Sequence, residues 1–316
     1  MFRITAQLSS QLPHAGARSL RHPPPGDRRR PPALVAVAHG SRDPRALRTV
    51  RALLDRVRAL RPEVPVRLGH IELNAPLLPD TLAALRGEAV LVPLLLGRGH
   101  HVKHDIPEAL AAAAGLRARI AAPLGPHPLL AEALHGRLVE AGWPAAGATD
   151  SGHYPGGAAV IPGRHPGDST AGPSKGTDAD RTEPTGDRTE ASRGAVVLAA
   201  AGSRDPDSAV DTAATAELLS ARLGGVPVLP AYASAAGPTV PDAVAELRAR
   251  GHERIAVASY YTAPGRFAAR SAAEAPGVAA APLGAHPAMA RLLLHRYDEA
   301  LATAPVRTVE RRPAAA

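Results

Sequence analysis

The sequence predicts an α/β protein built from two tandem units with mainly parallel sheets. Short runs of small apolar residues alternate with amphipathic stretches, which is the pattern of strands and helices taken in turn. Several short stretches of the first half recur in the second, in the same order. Between the halves lies a long segment with no periodicity, which reads as a linker.

The first unit opens on Leu34-Val35-Ala36-Val37-Ala38, a buried strand that breaks at His39-Gly40 into the polar loop Ser41-Arg42-Asp43-Pro44. A helix is expected over 44–60, where Leu47, Val50, Leu53, Leu54 and Val57 keep the i, i+3, i+4, i+7 rhythm. The next strand is expected over 64–73, whose period of two would put His70, Glu72 and Asn74 on one face. A helix over 76–85 and a strand over 89–96 follow. That strand runs into Gly97-Arg98-Gly99-His100-His101-Val102-Lys103-His104-Asp105-Ile106-Pro107. Asp105 is expected to cap a helix through residue 114, with Pro107 in its first turn. A fourth strand over 116–121 and a closing helix over 129–141, opened by His127-Pro128, complete the unit. Two strands therefore deliver histidine to their carboxyl ends, the edge at which open α/β sheets bind ligands.

The pattern restarts near residue 195. Gly40-Ser41-Arg42-Asp43-Pro44 recurs as Gly202-Ser203-Arg204-Asp205-Pro206, Pro79-Asp80 as Pro241-Asp242, and Leu124-Gly125-Pro126-His127-Pro128 as Leu283-Gly284-Ala285-His286-Pro287. The expected organisation is a basic disordered tail over 1–32, a catalytic lobe over 33–143 and a disordered linker over 144–193. A degenerate second lobe over 194–304 and a disordered tail over 305–316 follow.

The copies part company at the chemistry. Opposite His39 stands Ala201, opposite Glu72 stands Ser234, and aligning Gly99 with Gly265 sets Phe267 against His101 and Ser271 against Asp105. Residues that serve packing alone would be wanted in both copies, so the first lobe is read as the chemical one and the second as a structural or substrate-covering partner. His127 and His286 persist before a helix-starting proline and are read as caps. Ser41 and Arg42 persist as Ser203 and Arg204 and shape the turn, and Ser41 and Arg42 are also the candidate contacts for an anionic part of a ligand.

Composition excludes several classes. The formal charge of +8 is concentrated in residues 1–33, with six arginines against Asp27, and no run interleaves bases with stacking aromatics, so nucleic acid is not expected. There is no cysteine, which leaves His, Asp and Glu as metal-binding groups. No apolar run approaches the ~20 residues of a membrane span, and the tail lacks the apolar stretch of a secretory signal. A cytoplasmic protein is expected. No Gly-rich phosphate loop of standard spacing occurs, so no nucleotide is expected. Ser41 and Ser203 stand in no Gly-x-Ser-x-Gly elbow, which argues against a serine hydrolase.

Two neutral imidazoles and a carboxylate can hold a divalent first-row metal, and an imidazole also takes up protons near neutrality. Metal insertion into a tetrapyrrole needs both at once, because two pyrrole protons leave as the metal enters. A wide cleft lined with Ala, Leu and Gly and rimmed by basic residues would suit the flat macrocycle and its carboxylates.

His39-Gly40-Ser41-Arg42-Asp43-Pro44, Glu72 with Pro76 after it, and Pro93-Leu94-Leu95-Leu96-Gly97-Arg98-Gly99-x-His101-x-x-x-Asp105-Ile106-Pro107 resemble the sirohydrochlorin chelatases, the small class II cobalto- and ferrochelatases. The resemblance covers about residues 33–142, and 194–302 as a degenerate copy. It implies paired flavodoxin-like lobes around a tetrapyrrole. It further implies that His39 and His101 bind the metal and take up protons, with Glu72 at an acidic position that assists. Fe²⁺ or Co²⁺ would be a substrate for insertion into sirohydrochlorin, on the way to sirohaem or cobalamin. The chain would act as a monomer with pseudo-dimeric lobes or as a homodimer. A non-catalytic metal-binding protein or metallochaperone using the same histidines is the alternative, and the choice between iron and cobalt stays open.

Overall fold

Residues 34–38 are all buried because β1 (Ala33–Ala38) runs through the middle of a four-stranded sheet. The computed structural model describes residues 30–144 and 194–303. Nearly all of the expected tails and of the expected linker lie outside the described residues. The first lobe continues through α1 (Pro44–Leu60), β2 (Val66–His70), α2 (Leu78–Ala83) and β3 (Glu88–Pro93). A single π-helical turn (His101–Asp105), α3 (Ile106–Ala112), β4 (Arg117–Ile120) and α4 (Pro128–Glu140) complete it. The second lobe comprises β5 (Gly194–Ala200), α5 (Pro206–Arg222), β6 (Val228–Tyr232), α6 (Val240–Ala249), β7 (Arg254–Ser259), α7 (Arg266–Ala273) and α8 (Pro287–Ala302).

Both sheets are parallel, in the orders β2-β1-β3-β4 and β6-β5-β7. The inner strands β1, β3 and β5, covered on both faces, are nearly continuous apolar runs, whereas the edge strands β2 and β4 carry Arg67, Arg117 and Arg119. Register sets Val37 beside Pro93 and Ala38 beside His70, so β1, β2 and β3 end level. In this order the connections leave β1 and β3 towards opposite sides, which opens a crevice at their carboxyl ends.

The helix starts follow local chemistry. Asp43 accepts a hydrogen bond from the Arg45 amide at 2.9 Å, and Asp205 repeats this with Asp207 at 3.0 Å. His127 Nδ1 accepts from the Leu129 amide at 3.0 Å and His286 Nδ1 from Ala288 at 3.2 Å, which are the expected caps. Helix α1 has the expected bounds and buries Val50, Leu53, Leu54 and Val57.

Two expectations are corrected. The strand expected over 64–73 stops at His70, because Leu73 turns left-handed at φ 66°, so Glu72 and Asn74 owe their places to a loop rather than to strand alternation. Asp105 is not an N-cap: it has helical dihedrals, being the last residue of the π-turn, and its carboxylate is taken by His101.

The closing helices are exchanged between lobes. Helix α8 packs on α1, β3 and β4 of the first lobe, while α4 packs on α5 and β7 of the second. One apolar core consequently runs through both lobes, with Leu130, Leu134 and Leu138 of α4 and Leu292 and Leu293 of α8 sandwiched between the sheets. Tyr297 of α8 donates to the Pro32 carbonyl at 2.7 Å, and Asp298 pairs with Arg61 at 2.6 Å. Among the described residues no helix is long and apolar enough to cross a membrane.

Candidate metal centre

His39 follows β1 directly and is held by the turn after it. Gly40 has φ +105°, and a Cβ there would lie 1.9 Å from the Glu72 carbonyl oxygen. Glycine is therefore required both for the conformation and for the approach of the 72–74 loop. The Glu72 amide donates to the His39 carbonyl at 3.0 Å, and Asn74 Oδ1 accepts from the Ser41 amide at 2.7 Å. These contacts bring the Glu72 side chain beside His39, with Nε2 3.4 Å from Oε1.

His39 Nδ1 lies 3.3 Å from the Gly40 carbonyl, and in the tautomer that donates to this carbonyl the Nε2 lone pair faces the Glu72 carboxylate. In that tautomer two acceptors face each other, and a cation between them would satisfy both. Two donors each about 2.1 Å from one ion at a tetrahedral angle stand about 3.4 Å apart, the span found here. A metal ion or a proton fits this gap.

His101 comes from the π-turn, closed by the Ile106 amide donating to the His101 carbonyl. Its Nδ1 hydrogen-bonds the Asp105 carboxylate, which fixes the tautomer and leaves Nε2 free. The His39 and His101 rings meet edge to face, centroids 4.7 Å apart at 81°. Their side chains are 44% and 35% exposed, so a flat ligand can reach both. His100 is 73% exposed and lies closer to His104, at 4.7 Å between centroids, than to His101 at 6.3 Å. The donors stand as His39–Glu72 and His101–Asp105, with His100 Nε2 3.7 Å from the same Asp105 carboxylate, and among the described residues no group of three or more His, Asp or Glu forms a preformed cage.

The turn residues are shared with the empty copy. Ser41 Oγ accepts from the Asp43 amide at 3.1 Å, as Ser203 Oγ does from Asp205, while Arg42 and Arg204 are exposed. Arg45 holds the Asp43 carboxyl down to about 2 through a side-chain hydrogen bond. In the second lobe Gly202 keeps φ +85° and the same close approach, to Ser234, yet Ala201 replaces the histidine. Ser271 is buried against the Tyr261 hydroxyl at 3.0 Å, and α7 runs as a regular helix where the first lobe has its π-turn. π-Turns concentrate at functional sites, and here the turn goes with the histidines.

Two concavities lie away from the histidines, one along Leu47, Arg51, Leu54 and Pro76, another along Ala213, Glu217, Ser220 and Pro230. The histidines stand partly exposed at the carboxyl edge of the first sheet, the ledge from which a ligand would reach them. Sequence reasoning missed the partnership of Asp105 with His101, although their i, i+4 spacing carried it.

A duplicated parallel α/β protein with paired imidazoles at the switch point of its first sheet is the class defined so far. The CbiX family model matches residues 33–141 and 195–300, and the chain belongs to that family. The sirohydrochlorin cobaltochelatase of Methanococcus aeolicus is 33% identical over 82 residues, 25% of this chain and 57% of that protein. The chain thus spans a little over half the length of that curated relative. SirB from Bacillus subtilis, solved with Fe³⁺, superposes with a TM-score of 0.61 at 23% identity, covering 85% of this chain and 95% of that one. The sirohydrochlorin chelatase SirB from Bacillus subtilis subspecies spizizenii, in complex with cobalt, gives 0.57 at 20%, covering 85% and 94%. At these identities the two structures establish the fold.

Proposed function

We propose that this chain inserts a divalent first-row metal, Fe²⁺ or Co²⁺, into sirohydrochlorin, with the metal as substrate. The observation that carries the proposal is the meeting of His39 and His101 at 4.7 Å, each with its own carboxylate. Membership of the CbiX family and the names of its relatives support it.

The metal would be taken by His39 Nε2 with Glu72, and by His101 Nε2, on the exposed ledge where the macrocycle can approach face on. Two pyrrole N–H protons must leave as the metal enters the ring. As the metal moves off the two imidazoles, their lone pairs become free, and these accept the two protons. Asp105 would stabilise the His101 imidazolium through Nδ1–H, and Glu72 would do the same for His39 or pass its proton to solvent. One metal in and two protons out balance without redox change or nucleotide. Imidazole and carboxylate donors accept either metal, so supply decides between iron and cobalt.

The test is anaerobic incubation with sirohydrochlorin and Co²⁺ or Fe²⁺, followed by the absorption of the macrocycle. Insertion faster than the spontaneous rate is expected. Metal binding without acceleration would mark a metallochaperone instead.

A further inference from the structure

The second lobe has no histidine at the ledge, yet it grips the histidine loop of the first at three successive places. Tyr260, directly after β7, is buried and donates its hydroxyl to the Leu96 carbonyl at 2.9 Å. Asp211 of α5, 3% exposed, accepts from the Arg98 backbone amide at 2.7 Å and from the Arg98 guanidinium at 2.7 and 3.1 Å. Asp205 and Asp207 receive the Lys103 ammonium at 2.7 and 2.9 Å. Gly97 leaves space for this grip, since a Cβ there would stand 3.3 Å from the Asp211 carboxylate. His101 lies between the second and third anchors.

The duplication distinguishes a positioning device from mere adhesion. The two loops face the opposite lobes equivalently: a Cβ on Gly99 would meet Ser203 Oγ at 3.8 Å, and one on Gly265 would meet Ser41 Oγ at 3.8 Å. On the histidine-free side, however, Pro264 replaces Arg98, Ala269 replaces Lys103, Thr49 replaces Asp211 and Leu94 replaces Tyr260. Arg45 stands where Asp207 would and folds back on Asp43 at 2.7 Å. The ties thus run one way, onto the loop that carries His101. Adhesion does not require them, because the exchanged helices already join the lobes through an apolar core. Solvent-exposed ion pairs add little to stability, and a buried carboxylate is costly unless well paired, so the contribution of these groups lies in geometry.

We infer that the second lobe positions the metal-handling loop: Tyr260, Asp211, Asp205 and Asp207 hold residues 96–103 so that His101 meets His39. This rests on the reading of His39 and His101 as the metal-handling pair. The four are positioning residues, since none of them touches His39 or His101 in the contacts described.

The test uses the full chain with Asp211→Asn, the double change Asp205→Asn with Asp207→Asn, and Asp298→Asn as control. Asn caps a helix as well as Asp, so α5 keeps its start. Asp298 makes an ion pair between the lobes far from the loop. Amide exchange over residues 97–105, measured without metal, is expected to accelerate about fivefold or more in the loop variants. Co²⁺ affinity should weaken about 10- to 100-fold with a changed visible spectrum, and kcat should fall while KM for the tetrapyrrole stays near wild type. Asp298→Asn should match wild type throughout. Wild-type exchange and an unchanged Co²⁺ spectrum in the loop variants would overturn the inference, as would equal losses in Asp298→Asn. If the wild type neither binds Co²⁺ at His39 and His101 nor inserts it, the functional reading fails. Amide exchange then decides the positioning alone: faster exchange supports it and unchanged exchange overturns it.

Discussion

Asp105 hydrogen-bonds His101 Nδ1 from four residues further along the π-turn, so the ring is oriented from its own element while the carboxylate contributes nothing as a helix cap. Asp105→Asn should therefore leave the melting temperature close to wild type. It should lower Co²⁺ affinity about tenfold or more, because the neutral amide no longer raises the basicity of Nε2. Calorimetric unfolding and a Co²⁺ titration of one preparation would check both halves.

Gly40 and Gly202 make a matched pair. A Cβ at either would collide with the carbonyl of the facing loop, at 1.9 Å from Glu72 O and 1.8 Å from Ser234 O, and both have positive φ. Each alanine substitution should cost about 1–3 kcal/mol or more in a denaturant titration. Gly40→Ala also displaces Glu72 from His39 and should abolish metal insertion, whereas Gly202→Ala should keep insertion at temperatures where it stays folded.

Burial holds the pKa of four histidines below the ordinary value of about 6.5: His70, His127, His135 and His286. The unfolded chain then binds more protons than the folded one as pH falls below about 6.5. Stability should decline from there towards the lower folded values and level off beneath them. His70, 2% exposed, faces the Pro76 carbonyl at 3.2 Å. The urea midpoint should drop between pH 7.5 and 5.5, and the drop should be smaller in His70→Gln. A midpoint that rises on acidification would contradict the assignment.

The exchanged helices predict that neither lobe stands alone. A fragment of residues 30–144 lacks α8, which covers α1 and β3, and should show no cooperative unfolding. Within the full chain, Leu293→Ala, fully buried in the shared core, should cost about 2–5 kcal/mol.

The parts that local chemistry dictates were legible in the sequence. Helix α1, β1, the proline-led caps His127 and His286, and the two histidine-bearing strand ends follow from periodicity and from Gly and Pro. Glu72 was found for a reason that does not hold, since strand alternation ends at His70. What brings it to His39 is the Leu73 turn and the close approach over Gly40, both tertiary. The Asp105 spacing fitted both a cap and a histidine partner, and the π-turn decides between them. Helix exchange left no mark, because an apolar face does not say which sheet covers it. Asp211 and Tyr260 reach Arg98 and Leu96 from the far lobe, where no local pattern points.

The most direct measurement is the single-turnover rate of Co²⁺ entry into sirohydrochlorin for wild type, His39→Ala, His101→Ala and the double variant. Groups acting as one unit lose activity non-additively. Each single change should therefore lower the rate about 100-fold or more, and the double change little further. Insertion at the wild-type rate in either single variant, or two losses that simply multiply, would contradict a metal held jointly by His39 and His101.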